Sequence, residues 1–246
     1  MLLPVAVSVL EGAFAQRVTG MGFALIAAPA LVVLLGPFDG VIIVNACAVL
    51  SSLLILPRVW RHIDWQRFRW LVVPAVAGTV LGALVAARLQ GPVLQLGIGI
   101  LVIVALTVSL AVTRTEHVAT GRTPAIVAGA TSGFMNAAAG VGGPALSVYA
   151  VATRWPQAGF AATAQPYFVV IGVASLVGKL GATGWALPEL EPGAWPLVIG
   201  ALLVGLGLGE LLHKRIPHHA ARIAVIVIAY AGGVAAMVDG ALEIWG

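Results

Sequence analysis

The sequence predicts an all-α polytopic membrane protein of two inverted repeats, each a broken or re-entrant helical hairpin followed by three transmembrane helices. Three observations predict this fold class. Hydrophobic residues make up 61% of the 246 residues and charged residues only 9%, with a mean hydropathy of +1.06, whereas a soluble domain carries about 25% charged residues. The apolar residues form long runs separated by short polar segments. Two of these runs are interrupted at matching places, which indicates an internal repeat.

Eight apolar runs follow one another along the chain. Six have about the 20 residues that cross a bilayer as one helix, and they predict helices at 38–57, 68–88, 92–113, 157–178, 194–213 and 219–240. The other two, 2–35 and 122–153, are too long for one span. They are interrupted by QRVTGMGF (16–23) and NAAAGVGGP (136–144). Glycine and proline there break a helix, so each long run is predicted to be a hairpin of two shorter helices.

The two halves of the chain match at several polar and glycine positions. At an offset of 120 (136 − 16), Gln16, Gly20, Gly22 and Asn45 fall on Asn136, Gly140, Gly142 and Gln165. At a later offset of 127 (205 − 78), Gly78, Gly82 and Arg88 fall on Gly205, Gly209 and Arg215. The two glycine pairs have the spacing typical of close helix packing. The sequence therefore predicts a first repeat over 1–118 and a second over 119–246.

The basic residues predict the orientation. The loop 58–69 carries four arginines and is expected on the cytoplasmic side. If each broken run starts and ends on the same side, Arg154, Lys214 and Arg215 join it, and the acidic 179–193 segment lies outside. Each half then has an odd effective number of crossings, which makes the repeat inverted and places both termini outside a bacterial cytoplasmic (inner) membrane. Whether each hairpin is re-entrant or a pair of short full spans stays open.

The two interruptions are the candidate substrate site. Broken backbone at membrane depth leaves N–H and C=O groups unpaired at a cost of about 2–7 kcal/mol each, and it persists only where protein or a water-filled cavity supplies partners. Paired breaks at mid-membrane are typical of secondary transporters, in which helix N-termini offer free amides to an anion. The candidate residues in the two breaks are Thr19, Gly20, Gly22, Asn136, Gly140, Gly142, Gly143 and Pro144.

The motifs TGMGFALIAAPAL (19–31) and NAAAGVGGPALSVY (136–149) resemble those of the sulfite exporter TauE/SafE family of membrane transporters. The resemblance covers essentially the whole chain. Family members commonly carry a GxGGG-like run in the first half, where this chain has Gly20-Met21-Gly22-Phe23. The resemblance implies export or import of a small organosulfur or other anion, such as sulfite, sulfoacetate or thiosulfate.

Polar side chains inside the apolar runs complete the candidate site. Arg17 lies beside the first break, and its guanidinium suits an oxyanion; the alternatives are an interfacial arginine or one paired with Glu11. Asn45 and Gln165 occupy matched places and can donate to an anion without holding it tightly. Glu11 is the one acid clearly inside a predicted membrane segment, where it could carry a coupling proton or form an ion pair.

Other functions fit the sequence less well. The net charge of +4 comes from few basic residues between apolar runs, which does not indicate a nucleic-acid partner. No metal, cofactor or catalytic constellation is expected, so an enzyme is not predicted. An anion channel with two re-entrant hairpins is the alternative to a carrier. The expected partners are a small anionic substrate and the lipid bilayer; proton or sodium coupling and a homodimer are left open.

Overall fold

The computed structural model describes residues 2–20, 22–89, 91–112, 118–185, 187–188, 190, 193–213 and 215–245. Lys214, one of the basic residues used for the orientation, lies outside them. Within these ranges the chain forms ten α-helices, with a short 3₁₀ turn at Trp60–His62 between α3 and α4. The helices are α1 (Leu2–Thr19), α2 (Phe23–Leu35), α3 (Pro37–Val59), α4 (Trp65–Arg88), α5 (Gly91–Val112), α6 (Thr123–Ala139), α7 (Gly143–Ala152), α8 (Gln157–Ala182), α9 (Ala194–Leu212) and α10 (His218–Trp245).

The six predicted membrane-spanning helices are present. Among the described helices, six are long and apolar enough to cross a bilayer: Pro37–His62, Trp65–Arg88, Gly91–Val112, Gln157–Ala182, Ala194–Leu212 and His219–Trp245. The four remaining helices, α1, α2, α6 and α7, form the two broken hairpins. The predicted class, an all-α multi-pass membrane protein, is confirmed.

The two breaks have the same backbone construction. Gly20 follows α1 with φ = 82°, and its N–H donates to the carbonyl of Gln16 at 2.8 Å. Gly140 follows α6 with φ = 72°, and its N–H donates to the carbonyl of Asn136 at 2.9 Å. Each helix therefore ends in the same left-handed glycine cap, a conformation that residues with a Cβ rarely adopt. The next helices, α2 and α7, both begin three residues after these glycines.

The second hairpin enters and leaves at one end of the bundle. The N–H of Ala119, just before α6, donates to the carbonyl of Ala152 at the end of α7, at 2.8 Å. The basic loop 58–69 lies at this end, because the guanidinium of Arg67 stands 4.7 Å from the Trp155 ring. The side chain of Arg58 also contacts Glu210 near the end of α9, at 3.3 Å. We call this end of the bundle, where the basic loop lies, the basic end.

Hairpin helices of one half pack against long helices of the other half. In α9, Gly205 and Gly209 lie against the carbonyls of Leu10 and Phe14 in α1. In α4, Gly78 and Gly82 lie in the same way against the carbonyls of Ala130 and Phe134 in α6. The absence of a side chain at each glycine lets the helices approach closely.

These two interfaces correspond at the predicted offsets (10 + 120 = 130 and 14 + 120 = 134). The correspondence supports the predicted duplication. The duplication, the repeat boundaries at 118 and 119 and the inversion of the two halves stay predictions.

Candidate functional site

A small cavity of about 40 Å³ lies between the two breaks. Three pairs of its lining residues stand at matched positions of the two halves, 120 residues apart: Gln16 and Asn136, Phe23 and Gly143, Ala48 and Phe168. Both hairpins and both of the helices that follow them, α3 and α8, therefore contribute residues to one site. The cavity lies where the sequence predicts the two interruptions to meet.

Two helix N-termini border this cavity. The helix α2 begins after Gly22 and α7 after Gly142, and neither N-cap is bonded by a side chain. The first amides of a helix have no partner within it and stand at the positive end of its dipole, so they can bind an anion. Gly20, Gly22 and Gly143 line the cavity. Because these glycines have no side chain, a ligand can reach the backbone there.

Asn136 reaches the cavity and is held by Asn45. The Asn136 side-chain amide donates to Oδ1 of Asn45 at 2.7 Å. Asn45 in turn donates to the carbonyl of Val41 at 3.0 Å and to the hydroxyl of Ser175 at 3.3 Å. Asn45 is only 1% exposed and does not line the cavity. It therefore orients Asn136, which lines the cavity and whose amide nitrogen also donates to the carbonyl of Ile171 at 3.5 Å.

Gly140 and Gly142 shape the second break without lining the cavity. Gly140 is packed against Val44 of α3. The hydroxyl of Ser132 donates to the carbonyl of Gly142 at 2.7 Å. A Cβ added at Gly142 would lie 2.8 Å from the carbonyl oxygen of Ser132, so only glycine lets the loop approach α6 this closely.

Ser52 is a cavity residue that the sequence analysis missed. Its hydroxyl is buried, has no hydrogen-bond partner within the described residues and belongs to a residue lining the cavity. A buried hydroxyl without a partner is costly, and it can donate to a ligand that enters. Its position seven residues after Asn45, about two helical turns along the same face of α3, is the sequence signal that could have identified it.

Gln165 is buried but lines neither this cavity nor the larger cavity beside it, which is described next. Its Nε2 donates to the carbonyl of Ala161 at 3.0 Å, whereas its Oε1 has no partner among the residues that the structure describes. Because a carbonyl can only accept, this bond fixes the orientation of the amide. The free atom is then an acceptor, which suits a water molecule better than an anion.

A larger cavity of about 650 Å³ adjoins the small one. Thr19 and Pro144 line it, directly beside Gly20 and Gly143 of the small cavity, and Leu25 lines both. Towards the basic end it is lined by Arg154, Gln157 and His219, among others. We call this cavity the vestibule. None of the described residues that line the vestibule or the small cavity is acidic, so the local charge favours an anion.

Between the breaks and the end of the bundle opposite the basic end, the protein is closed by packed side chains. Leu31 of α2, Val41 and Val44 of α3, Ala139 of α6 and Val141 are all fully buried in one hydrophobic cluster. Val141 also lines the small cavity. The small cavity therefore connects towards the basic end and is separated from the other end by packed side chains.

Arg17 and Glu11 do not reach either cavity. Arg17 forms an ion pair with Glu210 of α9, and not with Glu11. Glu11 lies on the exposed face of α1. The reason is helical periodicity: Arg17 lies on the face of α1 that packs against Gly209, while its neighbour Gln16 faces the cavity.

Lys179 is a charged residue that the sequence analysis placed outside a helix, whereas Asp239 lies within the predicted helix 219–240 without having been singled out. The helix α8 was predicted to end at 178, but it continues to Ala182 and buries Lys179 completely. Asp239 lies within α10 and accepts from Nε2 of Gln95 in α5 at 2.5 Å. The apolar residues on both sides of Lys179, in the stretch SLVGKLGA, are the signal that α8 extends past it.

Comparison with known proteins identifies the family. The model of the family described as Sulfite exporter TauE/SafE matches residues 5–236 of the chain. The match covers both breaks, the small cavity and the vestibule. Comparison with curated proteins and with solved structures gave no match.

Proposed function

The chain belongs to the sulfite exporter TauE/SafE family of membrane transporters, and from this premise we propose that it is a secondary carrier for a small anion. The substrate class is sulfite, an organosulfonate or a similar oxyanion. The observation that carries the proposal is the small cavity between the two breaks, which matched positions of both halves line. A site shared in this way between two related halves can be exposed to either side in turn.

The groups around the cavity favour a small oxyanion. The amides at the starts of α2 and α7, the side chain of Gln16 and the hydroxyl of Ser52 are all able to donate hydrogen bonds. No described side chain lining the cavity carries a full positive charge. Neutral donors bind an anion without making its release prohibitively slow, which transport requires. Arg154 of the vestibule then attracts the anion from the basic end.

The closure of the protein at one end of the bundle supports alternating access. The small cavity has about the volume of a single water molecule, roughly 30 Å³, so a bound oxyanion requires the breaks to separate slightly. The vestibule leads to the cavity from the basic end, while the cluster around Leu31 and Val44 closes the other end. We propose that the basic end is cytoplasmic, because it collects the arginines, and that this conformation faces inward.

A transport assay tests the proposal. Purified protein in liposomes is expected to take up sulfite or an organosulfonate with saturation, and to show counterflow when the vesicles are loaded with unlabelled anion. Comparing uptake with and without an imposed proton or sodium gradient identifies the coupling ion. Single-channel currents in a planar bilayer would support the anion channel instead. Absence of any anion flux by the folded wild-type protein would contradict both functions.

A further inference from the structure

A fully buried lysine lies towards the end of the bundle opposite the basic end. Lys179 of α8 has no exposed surface, and its Nζ has no hydrogen-bond partner within the described part of the chain. An ammonium group without water or a hydrogen-bonded partner is unfavourable in a protein interior. Ionisable residues buried in membrane proteins commonly mark the path of an ion or a substrate. The transport site described above leaves this lysine unused.

The ring of Phe38 covers the ammonium group. Nζ of Lys179 stands 4.3 Å from the centre of this ring, in cation–π contact. Phe38, the second residue of α3, also lines a cavity of about 380 Å³ at the end of the bundle opposite the basic end. Thr183, one helical turn beyond Lys179, lines the same cavity. Lys179 itself does not line it, so Phe38 stands between the ammonium and the cavity.

The surroundings give Lys179 a resting counter-charge, and Phe38 borders open space on its cavity side. The carboxylate of Asp39, next to Phe38, acts on the ammonium through space. Gly36, before α3, has a positive φ of 84°, and no atoms pack against the position where a Cβ would be. In contrast, Gly40 is packed tightly against the backbone of Leu31. The first turn of α3 is therefore held at Gly40, while the corner before Phe38 is open.

We propose that Lys179 is a second anion-binding group, which serves the mouth opposite the basic end and is covered by Phe38 in this conformation. When the Phe38 ring turns away, the ammonium faces the cavity of about 380 Å³. There it pairs with the same small oxyanion that the small cavity between the breaks accepts. The two mouths then carry different cations, Arg154 at one and Lys179 at the other. This inference rests on the proposed carrier function, since it gives that carrier its second mouth.

Thiol labelling at Thr183 tests the position of the charge independently of transport. Cys47 is the sole cysteine, so Cys47→Ala gives a cysteine-free background into which Thr183→Cys is placed. An anionic and a cationic methanethiosulfonate reagent of similar size are reacted with the detergent-solubilised protein. Adding Phe38→Ala is expected to raise the anionic-to-cationic rate ratio about tenfold, because a newly exposed unit charge lies one turn away. Adding Lys179→Met to that variant is expected to abolish the rise.

Two results would overturn the proposal. One is a rate ratio that Phe38→Ala leaves unchanged, and the other is a rise that persists after Lys179→Met. Anion uptake by the single variants is the second measurement: Lys179→Met is expected to impair it, while Lys179→Arg retains it. Wild-type uptake by Lys179→Met would also count against the proposal. If the wild-type protein carries no anion, the carrier function fails, whereas the labelling result still decides whether Phe38 covers an anion-attracting charge.

Discussion

The side-chain amide of Asn136 donates to Oδ1 of Asn45 at 2.7 Å, and this bond joins the second break to the helix that follows the first. Asn136 lines the small cavity, and Asn45 lies behind Asn136, fully surrounded by protein. The pair therefore separates two roles that the sequence assigns alike to both residues. One amide lines the cavity, and the other holds it in position.

Replacing Asn45 should weaken binding indirectly. Asn45→Ala leaves the buried Asn136 amide without its acceptor, at a cost of about 1–3 kcal/mol. We expect a lower Tm and a raised half-saturating concentration for anion uptake. Asn136→Ala removes the cavity-lining group itself and should affect uptake more than Asn45→Ala does. Equal transport by Asn45→Ala and the wild type would show that Asn136 needs no such support.

Ser51 and Ser52 offer a matched comparison. Both hydroxyls are buried and without a hydrogen-bond partner within the described residues, but only Ser52 lines the cavity. Ser52→Ala should raise the half-saturating concentration by roughly tenfold, the equivalent of one hydrogen bond to a charged group at about 1.5 kcal/mol. Ser51→Ala should leave it unchanged. The assignment of Ser52 to the substrate would be wrong if the two variants transport alike in liposomes.

The sequence was sufficient to predict the spans and the breaks, because apolar length and glycine clusters are local properties. It predicts that α1 ends and α2 begins around residues 16–23, and the break is found there. It could not decide which side chains near a break face the cavity. Arg17 and Gln16 are neighbours in sequence, yet α1 packs so that Gln16 faces the cavity while Arg17 pairs with Glu210.

Local sequence patterns also could not predict which side chains inside the long helices are buried. Lys179 reads as the start of a polar loop, and only the packing of α8 shows it to be enclosed by protein. Likewise, Ser52 resembles any serine in a membrane helix until the cavity beside it is seen. Such assignments depend on contacts between distant parts of the chain.

The left-handed glycine caps should be intolerant of substitution. Gly140→Ala places a Cβ on a residue with φ = 72° and 3.2 Å from Val44, so we expect it to destabilise the protein by roughly 1–2 kcal/mol or more. Gly97→Ala is the control, because Gly97 lies within α5 with no atoms near the added Cβ. That variant should be neutral or more stable by up to about 1 kcal/mol. Thermal unfolding in detergent measures both, and similar Tm values would contradict the strain at Gly140.

Arg17 should contribute little to transport. Its ion pair with Glu210 is partly exposed at the basic end, where such pairs are worth about 0–1 kcal/mol. We expect Arg17→Ala to fold and to retain the wild-type half-saturating concentration. Glu210→Gln removes the same pair from the other side and should behave in the same way. A loss of uptake in Arg17→Ala, but not in Glu210→Gln, would instead make the guanidinium a substrate contact.

Arg154 should act on the rate at which the anion enters. It lines the vestibule rather than the small cavity, so its charge attracts the substrate from a distance. Arg154→Gln should raise the half-saturating concentration several-fold at low ionic strength, and the difference from the wild type should shrink near 1 M salt, where the screening length falls to about 3 Å. Arg69→Gln is the control, because Arg69 is exposed at the same end but does not line the vestibule. A defect in Arg154→Gln that does not change with salt would mean that Arg154 binds the anion directly, since a close contact is screened far less than attraction over a distance.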